Sequence, residues 1–259
     1  MQLHAIETGG GPRTAVLLHG LMGSGESWWR VAPLLAERGY RVLALDLPGH
    51  GLSPRDPDLT VERAAAAVVA TIGCLAPAEP LHVIGHSYGA TVLAAAAGRL
   101  KPELAVYVDA SLALVGGADR LSLSAVYEQD RLMRSSPEAL RASRPFYSAT
   151  DAEVEARAAE RFDPATSASI SCGPDQRWDP APGSIVVRAD PSTWVTDDAA
   201  CRFEEGGVEV RSIPGAAHTV WYSHFDEFTA ALPEMFGADR APACRRADPS
   251  PRTRHDATR

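Results

Sequence analysis

Residues 81–94 read LHVIGHSYGATVLA, which places a strand, a tight turn and a helix in that order. The apolar run before the turn favours a buried strand, and the run after it favours a helix. The turn itself, GHSYG at residues 85–89, matches the pattern G-x-S-x-G. Glycine suits both ends of such a turn, because a Cβ there would clash with the neighbouring strand or helix. A glycine-rich connection with an incidental serine is the alternative, but the flanking elements favour a turn that lifts the Ser87 hydroxyl above the edge of a sheet.

Short apolar runs recur on both sides of this turn, with stretches of helical periodicity between them. Strands are predicted at residues 3–8, 15–19, 41–46, 81–87, 104–109, 184–188 and 208–213. Helices are predicted at residues 28–39, 61–75, 90–100 and 199–205. Most of these strands are almost continuously apolar, which is typical of strands buried on both faces. The alternation therefore predicts the α/β class, with a mostly parallel, doubly wound sheet. Glycines at residues 9–11 predict a hairpin after the first strand.

The alternation of strands and helices is interrupted between residues 109 and 184. Helical patterns at residues 118–134, 137–142 and 151–162 occupy this stretch, which is too long for a bare loop. We therefore expect a core of residues 1–111 and 184–236, with residues 112–183 inserted as a helical cap. Residues 237–259 are rich in Pro, Arg, Asp and Thr, and we expect them to form a disordered tail.

Composition excludes several classes of function. The chain has 259 residues and a formal net charge of −8, with 33 acidic against 25 basic residues, which argues against a dedicated nucleic-acid binder. No apolar run approaches the roughly 20 residues that span a membrane. The side chains of His, Cys, Asp and Glu do not recur at metal-ligand spacings, and the glycine-rich segments do not form a dinucleotide or phosphate-binding fingerprint, so we expect no metal and no cofactor.

Cysteine usage and the first residues bear on the cellular compartment. The four cysteines are scattered and form no CxxC pair: Cys74, Cys172, Cys201 and Cys244. Such spacing fits a reduced chain better than a disulfide framework. The N-terminus shows no basic segment followed by an apolar one, as a secretory signal would. We expect a cytoplasmic protein whose partner is a small molecule.

Four motifs follow one another along the chain. They are HGLM at residues 19–22, DLPGHGLS at 46–53, GHSYG at 85–89 and PGAAH at 214–218. In this order and spacing, over residues 3–236, they resemble the α/β-hydrolase superfamily. The resemblance implies an α/β-hydrolase fold with an inserted helical cap, and serine-histidine-acid chemistry. It leaves the substrate open, because this fold serves esterases, thioesterases, C–C bond hydrolases and some non-catalytic receptors.

The base of such a site is predicted at His218. This histidine follows the last predicted strand after a short Pro-Gly turn, which places it at the sheet edge beside Ser87. Its imidazole, with an ordinary pKa near 6.5, can accept the serine proton and return it to a leaving group. His224 is the competing candidate, although the helical stretch predicted around it, residues 220–231, favours the surface or the rim of a pocket. The resemblance further implies an oxyanion hole formed by the backbone N–H groups of Leu21 and Tyr88.

The acid has more than one candidate. Asp190 follows a predicted strand directly, and its distance from His218 along the chain fits the superfamily, so it is the first choice. The Gly-x-x-Asp pattern of the superfamily lacks its glycine here, however. Asp109 ends the preceding strand and occupies an alternative acid position. Asp197 and Asp198 are further candidates, although they resemble a pair that caps the following helix.

Aromatic residues predict the lining of a pocket. Trp28, Trp194 and Trp221 flank the oxyanion, acid and base loops, and Tyr127 and Phe146 lie in the expected cap. Most cap aromatics are expected to pack helices, and a minority to line an apolar site. We therefore predict a serine hydrolase that cleaves a small-to-medium hydrophobic ester or thioester through an acyl-enzyme. The alternatives are a C–C bond hydrolase, a lyase or cyclase with the same triad, or a non-catalytic ligand-binding member of the fold.

Overall fold

The computed structural model describes residues 1–76 and 80–237 of the chain. The strands in these residues are β1 (Ala5–Thr8), β2 (Arg13–Leu18), β3 (Tyr40–Leu45), β4 (Leu81–His86), β5 (Leu104–Val108), β6 (Ala113–Leu114), β7 (Gln176–Arg177), β8 (Ile185–Asp190) and β9 (Glu209–Pro214). The α-helices are α1 (Val31–Glu37), α2 (Val61–Leu75), α3 (Tyr88–Leu100), α4 (Arg120–Arg134), α5 (Pro137–Ser143), α6 (Ala149–Glu160), α7 (Pro164–Ser169), α8 (Asp197–Glu205), α9 (Val220–Ser223), α10 (Phe225–Ala230) and α11 (Pro233–Phe236). A 3₁₀ turn at Gly25–Trp28 precedes α1.

Seven strands form the central sheet, in the order β1-β3-β2-β4-β5-β8-β9. All neighbours are parallel except β1 and β3, which pair antiparallel. This sheet confirms the predicted α/β class. The parallel arrangement matters for function because the carboxyl ends of β2, β4, β5, β8 and β9 all meet at one edge, where ligands bind in open α/β sheets.

The sheet is buried on both faces, as its apolar strands predict. On β2, Val16 and Leu18 join the hydrophobic cluster formed with α2, α3 and α8, whereas Ala15 and Leu17 join the cluster formed with α1 and the C-terminal helices. Burying both sets removes a large apolar area from water, at about 25 cal/mol per Å². The rigid layer that results holds the loops at the carboxyl edge in place.

The predicted hairpin after the first strand is wrong. β1 pairs with β3, and β2 lies on the other side of β3, between β3 and β4. The glycines between β1 and β2 allow the chain to cross over the start of β3 at close range. A Cβ on Gly11 would lie 1.8 Å from the carbonyl oxygen of Gly39, and one on Gly9 would lie 2.5 Å from that of Tyr40. The glycine run therefore reflects a close crossing, not a tight turn.

Residues 112–183 contain helices α4 to α7 and the small β6–β7 ladder. Helix α7 and the ladder were not predicted; each element is too short to leave a periodic signal. Helix α6 contacts the 3₁₀ turn through two polar interactions. The indole N–H of Trp29 donates to Asp151 of α6 at 3.0 Å, and Arg157 of α6 forms an ion pair with Glu26 of the turn at 2.8 Å. The expected tail, residues 237–259, lies outside the described residues apart from Gly237, as does Cys244.

Candidate active site

Ser87 stands between β4 and α3 in a strained backbone conformation, with φ 51° and ψ −118°. The two glycines of GHSYG permit this sharp turn. A Cβ on Gly85 would lie 2.6 Å from the carbonyl oxygen of Gly89, and a Cβ on Gly89 would lie 2.4 Å from the carbonyl oxygen of Leu18. A positive φ at a non-glycine residue costs free energy and is commonly found at functional sites.

His218 is hydrogen-bonded to Asp109. Nδ1 of His218 lies 2.7 Å from Oδ2 of Asp109, whose side chain is 1% exposed. Because a carboxylate only accepts, the imidazole proton lies on Nδ1 when the ring is neutral, and Nε2 is free to accept another proton. Ser87 and His218 line the same cavity. The carboxyl ends of β4, β5 and β9 thus bring a hydroxyl, a carboxylate and an imidazole to one place.

Asp190, the first choice for the acid, is not beside His218. Its side chain is 43% exposed and lies 4.0 Å from the guanidinium of Arg188. The physical reason is backbone conformation: Asp190 remains in β8, whereas Asp109 follows β5 with φ 45° and turns its carboxylate into the interior. Of the two aspartates, Asp109, the alternative candidate, is therefore the one in contact with His218.

The remaining two carboxylates take no part in this arrangement. Asp197 forms an ion pair with Arg188 at 2.7 Å, and its side chain is 88% exposed. Asp197 and Asp198 stand in the first turn of α8, but they do not cap it, because Thr196 accepts the hydrogen bond from the N–H of Ala199.

The carboxylate of Asp109 has further donors on its other oxygen. Oδ1 accepts from the Ser192 hydroxyl at 2.6 Å and from the N–H of Ala189 at 3.2 Å. With His218 on Oδ2, both oxygens of this buried carboxylate are hydrogen-bonded, as burial of a charged group requires. The sequence does not identify Ser192 as a site residue. Ser192 lies in the loop after β8 and Asp109 follows β5, and no local pattern shows that these two segments meet.

The N–H of Leu21 is oriented by His19. The N–H of Leu47 donates to Nε2 of His19 at 2.9 Å, so the proton of this ring lies on Nδ1, which donates to the Gly20 carbonyl at 2.8 Å. A trans peptide places its N–H opposite its C=O. The N–H of Leu21 therefore points away from the ring of His19.

Tyr88 supplies the second predicted donor. It is the first residue of α3, so its N–H has no partner within the helix. Leu21, Ser87 and Tyr88 together line a cavity of about 190 Å³. A helix N-terminus also carries partial positive charge, which favours negative charge beside Ser87.

Three buried histidines surround these loops in the neutral form. Burial lowers the pKa of His19 and His50, the latter to about 3, and holds the pKa of His86 well below its ordinary range. Nε2 of His86 donates to the backbone carbonyl of His218 at 2.9 Å, so this ring supports the base loop. His19 and His50 bond to backbone atoms of the loops and, like His224, line neither cavity at Ser87.

Two cavities meet at Ser87. The larger, of about 310 Å³, contains His218 and carries polar side chains from the inserted segment: Asp130, Arg134, Arg144 and Glu155. The smaller, of about 190 Å³, is lined mostly by small and apolar residues, among them Val61, Ala110, Ala113, Leu114, Ile170 and four serines. Leu21, Ser87, Tyr127 and Trp194 border both cavities. A ligand that reaches Ser87 therefore has one polar and one apolar direction available.

The predicted pocket aromatics divide into two groups. Tyr127, Phe146, Trp194 and Trp221 line the larger cavity. Trp194 also stacks on His218, with ring centroids 5.0 Å apart. The prediction that Trp28 lines the pocket is wrong, because Trp28 borders neither cavity. The 3₁₀ turn points its fully buried ring into the core, where it stacks on the ring of Trp221 with centroids 4.1 Å apart.

The described residues offer no evident metal centre. Residues 1–76 and 80–237 bring together no group of three His, Cys, Asp or Glu side chains able to hold an ion. In the same residues, no helix is long and apolar enough to cross a lipid bilayer.

Comparison with known proteins agrees with this architecture. Residues 15–231 match the family model described as the alpha/beta hydrolase family. The chain belongs to this family. Two curated relatives are a pimeloyl-[acyl-carrier protein] methyl ester esterase of Methylococcus capsulatus, 39% identical over 115 residues, and the esterase PIR7B of Oryza sativa, 32% identical over 130 residues.

The matched segments are partial. The match to the bacterial esterase covers 44% of this chain and 41% of the relative. The match to the rice esterase covers 48% of this chain and 47% of the relative. The chain therefore spans less than half the length of either relative. Solved structures of the same fold extend further. An N-formylmaleamic acid deformylase of Pseudomonas putida has a TM-score of 0.72 at 18% identity, over 89% of this chain and 95% of that one. A hydrolase of Pseudomonas aeruginosa has a TM-score of 0.71 at 20% identity, over 91% and 94%.

Proposed function

We propose that the protein is a serine hydrolase that cleaves small-to-medium hydrophobic carboxylic esters or thioesters through an acyl-enzyme. The observation that carries this proposal is the 2.7 Å hydrogen bond between His218 and the buried Asp109, in a cavity shared with Ser87. The relatives named as esterases support the same chemistry. In this proposal Ser87 is the nucleophile, His218 the base and Asp109 the acid.

The reaction follows from these positions. The oxygen of Ser87 forms a bond to the carbonyl carbon while its proton moves to Nε2 of His218. The carbonyl electron pair moves onto oxygen, where the N–H groups of Leu21 and Tyr88 stabilise it. When the oxyanion collapses, the leaving group departs with the proton from Nε2. Water then attacks the acyl carbon while one of its protons moves to Nε2 of His218, and collapse of this second oxyanion returns the proton to the oxygen of Ser87 and releases the carboxylic acid product.

The two cavities take different halves of the substrate. The leaving group must reach Nε2 of His218 to receive its proton, and His218 lines only the larger, polar cavity. The acyl group therefore extends into the smaller cavity, where apolar residues such as Leu114 and Ile170 form the wall. A volume of about 190 Å³ limits this group to a short or medium chain.

The inserted segment is proposed to act as a cap. Residues 112–183 supply Tyr127 and Phe146 to the cavities, and helix α6 is fastened to the core at Trp29 and Glu26. A cap over Ser87 would exclude bulk water from the cavities and so strengthen the hydrogen bonds that stabilise the oxyanion. We also propose a cytoplasmic location, which the free, exposed thiols of Cys74, Cys172 and Cys201 support.

Hydrolysis of p-nitrophenyl esters tests the proposal. Among the acetate, butyrate, octanoate and palmitate esters, the shorter chains should be turned over. Ser87→Ala should lower the rate of this turnover by at least about 10³-fold. Ser143→Ala is the matched control, because Ser143 is an exposed serine on α5. Turnover that survives Ser87→Ala would contradict the proposal. Tight binding of these esters without turnover would support a non-catalytic member of the fold instead.

A further inference from the structure

The loop between β8 and α8, residues 191–196, passes directly beside the acid. Ser192 in this loop places its hydroxyl oxygen 2.6 Å from Oδ1 of Asp109. The same oxygen accepts hydrogen bonds from the backbone N–H groups of Trp194, at 3.0 Å, and Val195, at 2.9 Å. One hydroxyl thus connects the acid to the residue whose ring stacks on His218.

These contacts fix the direction of the Ser192 proton. A hydroxyl has one proton and two acceptor positions. The N–H groups of Trp194 and Val195 occupy the acceptor positions, so the proton is directed to Asp109. Hydrogen bonds from a hydroxyl to a carboxylate are shorter and stronger than neutral ones, and a separation of 2.6 Å is within their range.

We propose that Ser192 is a positioning residue for the reaction: its hydroxyl holds the Asp109 carboxylate toward His218 and anchors the loop that places Trp194 against the His218 ring. The inference rests on the proposed serine hydrolase function. Asp109 has a positive φ of 45° and lies beyond the end of β5, so hydrogen bonds from other segments must fix its carboxylate. Ser192 and the N–H of Ala189 are those contacts on Oδ1.

Trp194 depends on the same anchor. Its side chain borders both cavities, yet the residue is 47% exposed, so packing alone holds it only in part. Its backbone N–H is held by Ser192. Loss of the Ser192 hydroxyl would therefore loosen Trp194 and change KM, in addition to lowering kcat through Asp109.

Removal of this hydroxyl also has a predicted effect on pH dependence. The ionisable groups in contact with the His218 side chain are Asp109, which accepts from Nδ1, and His86, whose ring lies 4.7 Å away and is neutral. The Ser192 hydrogen bond draws part of the carboxylate charge away from His218. Without it, Asp109 stabilises the imidazolium more strongly, and the acid limb of kcat/KM moves to higher pH.

The test compares three variants of the intact chain on a short p-nitrophenyl ester. Ser192→Ala should lower kcat about ten- to a hundredfold, as expected for a hydrogen bond to a charged group, and move the acid limb upward. Ser192→Cys retains the size of the side chain but replaces a strong donor with a weak one, and should lie between Ala and the parent. Thr193→Ala removes a hydroxyl from the adjacent, exposed residue and should match the parent.

A second measurement needs no substrate. The proton shared by His218 and Asp109 should give a low-field signal in the proton NMR spectrum, and this signal should move in Ser192→Ala and Ser192→Cys but not in Thr193→Ala. Parent-like kcat, pH profile and NMR signal in Ser192→Cys would overturn the inference, even where Ser192→Ala does not fold. Failure of the proposed function is distinct, because Ser87→Ala would then retain the activity of the parent.

Discussion

Asp109 and Asp190 lie at the carboxyl ends of the neighbouring parallel strands β5 and β8, yet their side chains have different environments. The positive φ of Asp109 turns its carboxylate inward to His218, whereas Asp190 stays in its strand and points toward solvent and Arg188. Asp109→Asn should therefore lower kcat by about 10⁴, because the amide favours the wrong tautomer of His218. Asp190→Asn is the matched control, and steady-state kinetics on one ester should leave it within about twofold of the parent. Equal losses in both variants would contradict the assignment.

At this scale the predictions of Ser87 and His218 rest on local patterns. Ser87 and His218 each follow a strand within a short motif, and the structure places both on one cavity. The acid is harder to predict, since two strands end in aspartate and only their backbone conformations distinguish them. Ser192 and Trp28 show the same limit. The contact of Ser192 crosses between strands, and the inward direction of Trp28 depends on the orientation of a 3₁₀ turn.

At the scale of elements, the β4–α3 turn depends on close backbone approach. Gly89→Ala would place a Cβ 2.4 Å from the Leu18 carbonyl oxygen, and a backbone atom cannot move aside without distorting β2. We expect a loss of about 3 kcal/mol in the free energy of unfolding, measured by urea denaturation. The matched control is Gly98→Ala in the same helix, where a Cβ meets nothing within 4 Å. That variant should gain up to about 1 kcal/mol, because alanine favours the helix. Equal stability of the two variants would contradict this account of the turn.

Elements were predictable where the pattern was long and regular. The periodicity of residues 61–75 matches α2 at both ends, and the apolar strands of the sheet were located to within a few residues. Predictions failed where tertiary contacts decide. The partner of β1 depends on where the chain crosses β3, and residues 220–231 form two short helices, α9 and α10, where one helical stretch was expected.

For the whole molecule, buried neutral histidines make stability depend on pH. The pKa of His50 is lowered to about 3, and those of His19 and His86 are also lowered, each chiefly by burial. The unfolded chain therefore binds protons below about pH 6.5 that the folded chain does not. The stability that the neutral His50 ring contributes is present above this pH and is lost as pH falls from 6.5 toward 3, by up to about 1.4 kcal/mol per pH unit, and His19 and His86 act in the same direction.

Urea denaturation at pH 7.5, 6.5, 5.5 and 4.5 measures this loss. His50→Asn should show a smaller decrease between pH 6.5 and 4.5 than the parent, because one of the histidines that remain neutral on folding is absent. Stability that rises on acidification over this interval would contradict the burial of these groups as neutral imidazoles.

The central claim is that Ser87 is a nucleophile activated by His218. A fluorophosphonate probe tests it directly, because the probe phosphonylates only an activated serine, and mass spectrometry of the digest locates the adduct. The account predicts one adduct on the peptide that contains Ser87, none in Ser87→Ala and strongly slowed labelling in His218→Ala. An intact, folded chain in which Ser87 stays unlabelled, or in which His218→Ala is labelled at the rate of the parent, would contradict it.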